Sequence, residues 1–329
     1  MVAPVFDVLC VGLACVDLTL EVPHHPAPDE KLRATSRLVA PGGPAAVASA
    51  QIARLGGRAA FAGLLGDDTF AGLLRAAFVE EGIDTAALTV ASGHETPLAA
   101  ILVKPDATRS VLSHRPTPPA EFVTNLVTNT PKTHLANNLS SSANVTHWVT
   151  LPAARVVLAD GHRPEWNAAV IAHARSLGVP LVLDAGSLND STRALAAVAD
   201  HVVASETYAR AALADRDPAD PDADLASLGR PGATVVVTLG ARGLAWQTPV
   251  ARGLLPAPRI HAIDTNGAGD AFHGAYALGL ALGLPLAEML RQASAAGALS
   301  CTRAGAWPAL PAATELAAFL NRPRPPRPA

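Results

Sequence analysis

The sequence predicts an α/β fold: a mostly parallel central sheet with helices on both faces and a small, separate layer of strands. Three observations predict it. Short apolar runs alternate with helical segments along most of the chain. A few early strands are polar on alternate residues and do not suit a sheet buried on both faces. A Gly-rich stretch, Asp264-Thr-Asn-Gly-Ala-Gly-Asp270, runs straight into an apolar helix. The chain has 329 residues, half of them hydrophobic and 16% charged. That length suits one large domain, or one with a small accessory domain.

Taken in order, Val5 to Leu13 reads as a buried strand ending in Gly12. Asp17 to Val22 and Lys31 to Val39 read as more exposed strands. Pro41-Gly-Gly-Pro44 precedes an Ala-rich helix from about Ala45 to Leu55, stopped by Gly56-Gly57. Arg58 to Leu64 is a strand. Asp68 and Thr69 cap a helix to about Glu81, with Gly82 ending it. Pro97 to Val103 and Thr108 to His114 are two strands around a turn. Ala154–Ala159, Pro180–Leu183, His201–Ala204 and Thr234–Leu239 are short apolar strands with helical segments between most of them. In the helix from Ala271 to Leu284, Ala271, Phe272, Ala275, Leu278 and Leu282 recur at helical spacing. A helix from about Leu286 to Thr302 and a short C-terminal helix follow. From about Pro118 to Thr150 the composition turns to Asn, Thr and Ser without a period, which predicts a surface insertion. The Pro/Arg tail at 322–329 predicts disorder.

The bulk numbers exclude several classes. Net charge is −3, so no basic excess points to nucleic acid or an anionic membrane. No segment reaches the roughly 18 apolar residues of a membrane span. The first residues lack a basic signal-peptide region, and the three cysteines (Cys10, Cys15, Cys301) sit in apolar surroundings. Reduced, buried thiols in a cytoplasmic protein are the expectation.

The turn before the apolar helix carries the chemistry. A Gly-rich turn can aim several backbone N–H groups at one point, and the helix dipole adds positive potential there. That suits a phosphate-like anion. A carboxylate, Asp270, is out of place beside an anion unless it takes a proton from a hydroxyl attacking that phosphate. The alternative is a simple helix cap.

Three separated motifs weigh for the first reading. Gly42-Gly43-Pro44-Ala45-Ala46 is followed by Ala53-Arg54-Leu55-Gly56 and Gly63-Leu64-Leu65-Gly66-Asp67-Asp68. Thr238-Leu239-Gly240-Ala241-Arg242-Gly243 sits at a strand end. The Asp264–Asp270 motif comes last. Together they resemble the ribokinase-like (PfkB) carbohydrate kinases over nearly the whole chain. Within that family the frame is most similar to the bacterial sulfofructose kinases, on Val157-Leu-Ala-Asp160, Asp270-Ala-Phe-His-Gly-Ala275 and Cys301-Thr-Arg303. It departs from the family at Val47, often Asn there; at Ser205-Glu206-Thr207-Tyr208, where many members have Asn-x-x-Glu; and at Gly161-His162-Arg163, where the arginine is shifted.

The resemblance implies a three-layer αβα domain over residues 1–329, with a β-strand lid drawn from about 15–40 and 95–115. It implies ATP and Mg²⁺, with the γ-phosphate held at Gly267, Ala268 and Gly269 and Asp270 as base. Asp17, Gly42 and Gly43 would hold the sugar, with Lys31 and Arg163 as cations for an anionic sugar group. Thr238, Gly240, Gly243, Asn266 and Glu206 would bind the nucleotide. Asp264 and Thr265 are the candidates for a potassium ion. The partner would be a small sugar, with no nucleic acid or membrane involved, in a homodimer built through the lid. A ketohexose, a ribose-like pentose, a 2-keto-3-deoxy sugar acid and a nucleoside stay open as substrates. So does a non-catalytic sensor of the same fold, which has no need of Asp270. The bland readings also stay open: Asp17 closing a strand end, Lys31 an edge-strand lysine, Arg163 a solvated loop residue, His114 and Arg115 surface groups, His273 a packing histidine.

Overall fold

The structure, a computed structural model, describes residues 6–106, 108–117, 125–127 and 148–322. Its first half holds β1 (Phe6–Val11), β2 (Cys15–Glu21), β3 (Ser36–Gly42), α1 (Pro44–Arg54), β4 (Ala59–Gly66), α2 (Thr69–Glu80), β5 (Asp84–Ala91), β6 (Leu98–Val103) and β7 (Arg109–His114). Two three-residue strands follow, β8 (Asn125–Val127) and β9 (Trp148–Thr150). The second half holds β10 (Ala154–Ala159), α3 (Asn167–Leu177), β11 (Leu181–Ala185), α4 (Asp190–Ala196), β12 (His201–Ser205), α5 (Glu206–Ala212), β13 (Thr234–Thr238), β14 (Leu244–Gln247) and β15 (Arg252–Leu255). Helices α6 (Ala268–Ala281), α7 (Leu286–Ser300) and α8 (Ala313–Leu320) close the chain.

Nine strands form the central sheet in the order β15-β14-β13-β12-β11-β10-β1-β4-β5. All neighbours pair parallel except β13/β14 and β14/β15. The apolar run Val8–Val11 explains why β1 sits inside this sheet. Alternate residues of a strand face opposite sides, so Val8 and Cys10 enter one core and Leu9 and Val11 the other. Helices α1, α2, α6, α7 and α8 cover the first core, and α3, α4 and α5 the second. These are the three layers expected.

The chain leaves β1 toward β4 on one side and reaches β10 on the other. The carboxyl ends of β1 and β10 therefore border the crevice where open α/β sheets bind ligands. A second sheet, β3-β2-β6-β7, stands apart. Its β2/β6 pair is parallel and its other pairs are antiparallel.

Several expectations need correction. Lys31 is not on a strand. Residues 26–35 hold two prolines and Asp29 in a left-handed conformation (φ 63), so pairing starts only at Ser36. The edge strand β5 and the hairpin β14–β15 were missed, because edge strands need bury only part of one face and β5 is rich in Thr and Ala. Leu282 is the α6 C-cap and 56% exposed, outside the buried stripe. The composition-shifted segment lies largely outside the described residues; its described ends, β8 and β9, pair parallel. The tail beyond residue 322 lies outside them too. Cys10, Cys15 and Cys301 are free and buried, as expected. Among the described residues no helix is long and apolar enough to cross a membrane.

Candidate active site

The site assembles at the carboxyl edge of the central sheet, where the small sheet leans over the turn into α6. Gly267 is the α6 N-cap, left-handed at φ 76. A Cβ there would come within 2.6 Å of the Ala306 Cβ, so both conformation and space demand glycine. A Cβ on Gly269 would meet nothing nearer than the His273 Cε1 at 4.0 Å. Its open side faces away from packed protein. Among the described residues the N–H groups of Gly267, Gly269 and Asp270 find no backbone acceptor. These unpaired donors head a helix of 14 residues, whose dipole adds to them.

Asp264 holds the turn in place. Its Oδ1 accepts from the Asn266 N–H and its Oδ2 from the Gly305 N–H, both at 2.8 Å. The Thr265 hydroxyl meets the Arg109 guanidinium of β7. The pair expected to hold potassium thus also orders the loop.

Asp270 forms part of a pocket of about 160 Å³ with Asp17, Gly43, Asn266, Ile101 and Arg115. The surrounding protein desolvates its carboxyl and Asp184 adds like charge, so its pKa is pushed up to about 7. Asp17 projects from β2. Its Oδ2 accepts from the Asn266 side-chain amide at 3.1 Å and its Oδ1 from the Cys15 thiol at 3.4 Å. Burial raises its pKa, and those two donors pull against the rise. A Cβ on Gly42 would sit 2.3 Å from the Asp17 Oδ1, and one on Gly43 (φ 94) 2.5 Å from the Leu13 carbonyl oxygen. The two glycines thus make room for Asp17 and for the chain behind it.

Asp160, just past β10, ties the small sheet's connections to the core. It accepts from the N–H groups of Leu13 (2.8 Å), Ala45 (3.2 Å) and His162 (2.9 Å). The bond from Ala45 caps α1, which lacks a side-chain cap of its own. Gly12 permits this approach, since a Cβ there would overlap the Asp160 carboxylate.

The remaining sequence-predicted residues divide. Thr238 ends β13 and pairs in register with Ser205 of β12. Gly240 and Gly243, both at positive φ, shape the turn beyond it. Glu206 opens α5, where its Oε1 accepts from Arg210 and Arg242, each at 2.8 Å. These four stand together on neighbouring strand ends and outside the Asp17–Asp270 pocket. Asn266, expected with them, lies in that pocket instead.

The two expected cations do not converge there. Lys31 is exposed in the loop before β3. Arg163 is buried, lies 5.5 Å over the Trp166 ring and donates to the Leu64 carbonyl at 3.1 Å. It braces β4 and is neither a solvated loop residue nor part of the pocket. The cation that lines the pocket is Arg115, whose Nη1 lies 2.9 Å from the His162 Nδ1. His114 lines it as well. The sequence signal was present, since both end a predicted small-sheet strand, but that position also fits a surface role. His273 is buried in the α6 stripe as a packing residue would be, yet it faces Asp184, which the sequence did not single out.

A larger depression, about 280 Å³, lies at the amino edge of β11 and β12 and is walled by aliphatic side chains, Arg175 and the Asp200–Arg230 pair. It holds none of the motif residues. Ligands of open α/β sheets bind at the carboxyl edge, so the smaller pocket is the candidate site.

Comparison with known proteins gives the family. Fructokinase-1 of Oryza sativa subsp. japonica is 30% identical over 297 residues, 86% of this chain and 88% of that protein. Fructokinase-2 of Solanum lycopersicum is 28% identical over the same length and shares. A fructokinase from Xylella fastidiosa, solved with bound ATP, superposes with a TM-score of 0.71 at 25% identity, covering 95% of this chain and 98% of that one. An Arabidopsis thaliana ribokinase complexed with ribose and ATP shares the fold, with a TM-score of 0.75 at 22% identity over 97% of this chain and 99% of its own. Residues 5–313 match the pfkB carbohydrate kinase family. The open-donor turn, the carboxylate behind it and that match agree: the chain belongs to the pfkB family of carbohydrate kinases.

Proposed function

We propose that this kinase transfers the γ-phosphoryl group of ATP to a primary hydroxyl of a ketohexose, with fructose the first substrate to test. One observation carries the reading: a single half-buried carboxylate, Asp270, stands in the pocket directly behind unpaired N–H groups at a helix start. Those N–H groups are placed to donate to the anionic phosphoryl oxygens. Asp270 takes the proton of the hydroxyl as its oxygen attacks in line and ADP leaves. A pKa near 7 suits that task, because the group is then basic enough to take a proton yet ionised for much of the time at neutral pH.

Asp17 accepts hydrogen bonds from the sugar hydroxyls, and the small sheet closes over them to keep water out. Thr238, Gly240 and Gly243 form the nucleotide end of the site. Magnesium bound with the nucleotide would supply positive charge against the phosphates. Glu206 already accepts from two arginines, so it orders that end of the site and is not a free metal ligand as it stands. A potassium ion at Asp264 and Thr265 would have to displace Arg109.

Fructose is favoured because the named relatives are fructokinases and because neither Lys31 nor Arg163 reaches the pocket. A second reading, an anionic sugar such as the sulfonate the motif likeness suggests, draws on Arg115 in the pocket wall.

Association through the small sheet belongs to the same proposal. Val39, Leu18, Ala100 and Leu112 pair across all four of its strands and so share one face. Val39 is 41% and Leu112 61% exposed, which a second copy would cover. Sedimentation of the wild type and of Leu112→Glu checks this; a wild type that is monomeric at micromolar concentration overturns it.

ATP consumption over fructose, ribose, fructose 6-phosphate, sulfofructose and 2-keto-3-deoxygluconate tests the main reading, with Asp270→Asn as control. The expected result is fructose-dependent turnover that falls by about 10²–10⁴ in the variant while ATP still binds. Sugar binding without turnover on any substrate would mark a sensor instead.

A further inference from the structure

Behind Asp270, and away from the substrate, lie two buried groups that the transfer reaction does not use. His273 is on α6, one turn after Asp270, and Asp184 is near the end of β11. Their side chains are each 6% exposed, and the His273 Nδ1 lies 3.3 Å from the Asp184 Oδ2 without forming a hydrogen bond in this arrangement. The His273 Nε2 is 3.1 Å from the Val203 carbonyl oxygen of β12. A carbonyl only accepts, so Nε2 must carry a hydrogen. Among the described residues the other polar groups close to the ring are acceptors too: the Asp184 carboxylate, and the Gly269 carbonyl one turn back. With Nε2 protonated and nothing added, a bare Nδ1 would face a bare carboxylate, two buried acceptors without a donor. One more hydrogen resolves the conflict. On Asp184 it makes a carboxylic acid donating to Nδ1; on Nδ1 it makes an imidazolium beside a carboxylate. The two arrangements differ only in where the hydrogen sits, and both have zero net charge.

We propose that Asp184 and His273 hold one proton between them throughout turnover, so that this pair positions the proton affinity of Asp270 by keeping an uncompensated charge away from it. The inference rests on the assignment of Asp270 as the base. Ligand atoms of Asp184, Asp270 and His273 lie within 4.8 Å of one another. Asp160 and Asp17 are the other charged groups facing Asp270. Asp160 also faces Asp184 and His273, and it is held by three backbone N–H groups. A bare Asp184 carboxylate is one of the charges that push Asp270 up to about 7, so a neutral pair leaves Asp270 below that value. Burial acts in the proposed direction on both partners, raising Asp184 and lowering His273.

Two measurements test this. The first is ¹⁵N NMR of histidine-labelled protein, with the His273 signals assigned by their loss in His273→Gln. The expected spectrum has Nε2 protonated and the ring not titrating between about pH 5.5 and 9. A ring bare at Nε2, or one titrating with an ordinary imidazole pKa near 6.5, overturns the proposal. So does a chelator that shifts the Nδ1 signal of the purified protein, because a resident metal would then stand in place of the proton. This readout needs no turnover, so it decides the proton's place even if Asp270→Asn shows that Asp270 is not the base. The second is the pH profile of kcat/KM for Asp184→Asn. Its amide keeps a donor for Nδ1 and a neutral pair. Its acid limb should stay within about 0.3 unit of the wild type, while Asp184→Leu, which removes the donor, loses activity. A limb lowered by a unit or more in Asp184→Asn would show that Asp184 carries a free charge, and the proposal fails. If Asp184→Asn does not fold, the spectrum of the wild type decides.

Discussion

The Asn266 side-chain amide donates to the Asp17 carboxylate at 3.1 Å, joining the turn before α6 to the small sheet. The two residues are 249 positions apart in sequence, and their bond is the direct polar tie between the phosphate-side turn and β2. It links occupation of one half of the site to the position of the other. Asn266→Ala should therefore raise KM for the sugar and lower kcat/KM by about 10- to 100-fold, as expected for losing a hydrogen bond worth roughly 1.5–3 kcal/mol to a charged acceptor. Steady-state kinetics with sugar and ATP varied separately will show it. An equal loss of affinity for ATP and sugar would mean that the turn itself had collapsed.

The raised pKa of Asp270 predicts opposite effects of pH on activity and stability. The ionised form is the base, so kcat/KM should fall about tenfold per unit below an acid limb near pH 7. Stability runs the other way. The folded state binds this proton more tightly than the unfolded chain, where the carboxyl has its ordinary value of 3.8. The favourable contribution is fully present below about pH 4 and is lost as pH rises through 7. Denaturant midpoints of wild type and Asp270→Asn between pH 5 and 8 will isolate it. The difference between the two should grow with pH, the variant gaining relative to the wild type.

How much of this was legible in the sequence depended on the distance between partners. The buried run Val8–Val11, the strand–helix alternation and the turn before α6 are local patterns, and they gave the layers, the small sheet and Asp270. The distribution of the cations is not local. Lys31 and Arg163 have the right charge near the right motifs. A proline-interrupted loop keeps one outside, and the Leu64 carbonyl and Trp166 ring hold the other inside. Arg115 was in view as a strand end, but only the pairing of β6 with β7 turns that end toward the pocket. Glu81 closes α2, and its Oε1 accepts from both Arg54 and the Trp307 indole, partners that no local pattern records. Asp184 and His273 meet because α6 crosses over β11 and β12, which no spacing in the sequence records.

Gly267 and Gly269 should fail in different ways. An alanine at Gly267 meets Ala306 at 2.6 Å and must hold φ at 76, so it should lower stability by about 1–3 kcal/mol. Gly269→Val puts its side chain into open space and needs no left-handed backbone. The fold should survive with a small propensity cost, while the branched side chain obstructs the anion at the helix start. Thermal unfolding beside nucleotide titration separates the two. A Gly269→Val protein that binds ATP with wild-type affinity removes the turn from the phosphate site.

Arg115 decides between a neutral and an anionic sugar. It is the arginine that lines the pocket, and its guanidinium lies against the His162 ring, whose pKa is lowered by burial and by the neighbouring arginines. A neutral His162 can accept from Arg115, which leaves the remaining guanidinium N–H groups for a ligand. A sulfonate, carboxylate or phosphate on the sugar would take charge-assisted hydrogen bonds from them, worth about twice a neutral one. A neutral ketohexose offers only hydroxyl oxygens. If fructose is the substrate, Arg115→Met should change kcat/KM for fructose by less than about fivefold. If an anionic sugar is the substrate, the loss should be roughly 10- to 100-fold, concentrated in KM and confined to that sugar. Lys31→Met should leave both constants unchanged, because Lys31 stands outside the pocket. Specificity constants for fructose, sulfofructose and fructose 6-phosphate on the three proteins are the measurement. A preference for fructose that survives Arg115→Met would reject the anionic reading.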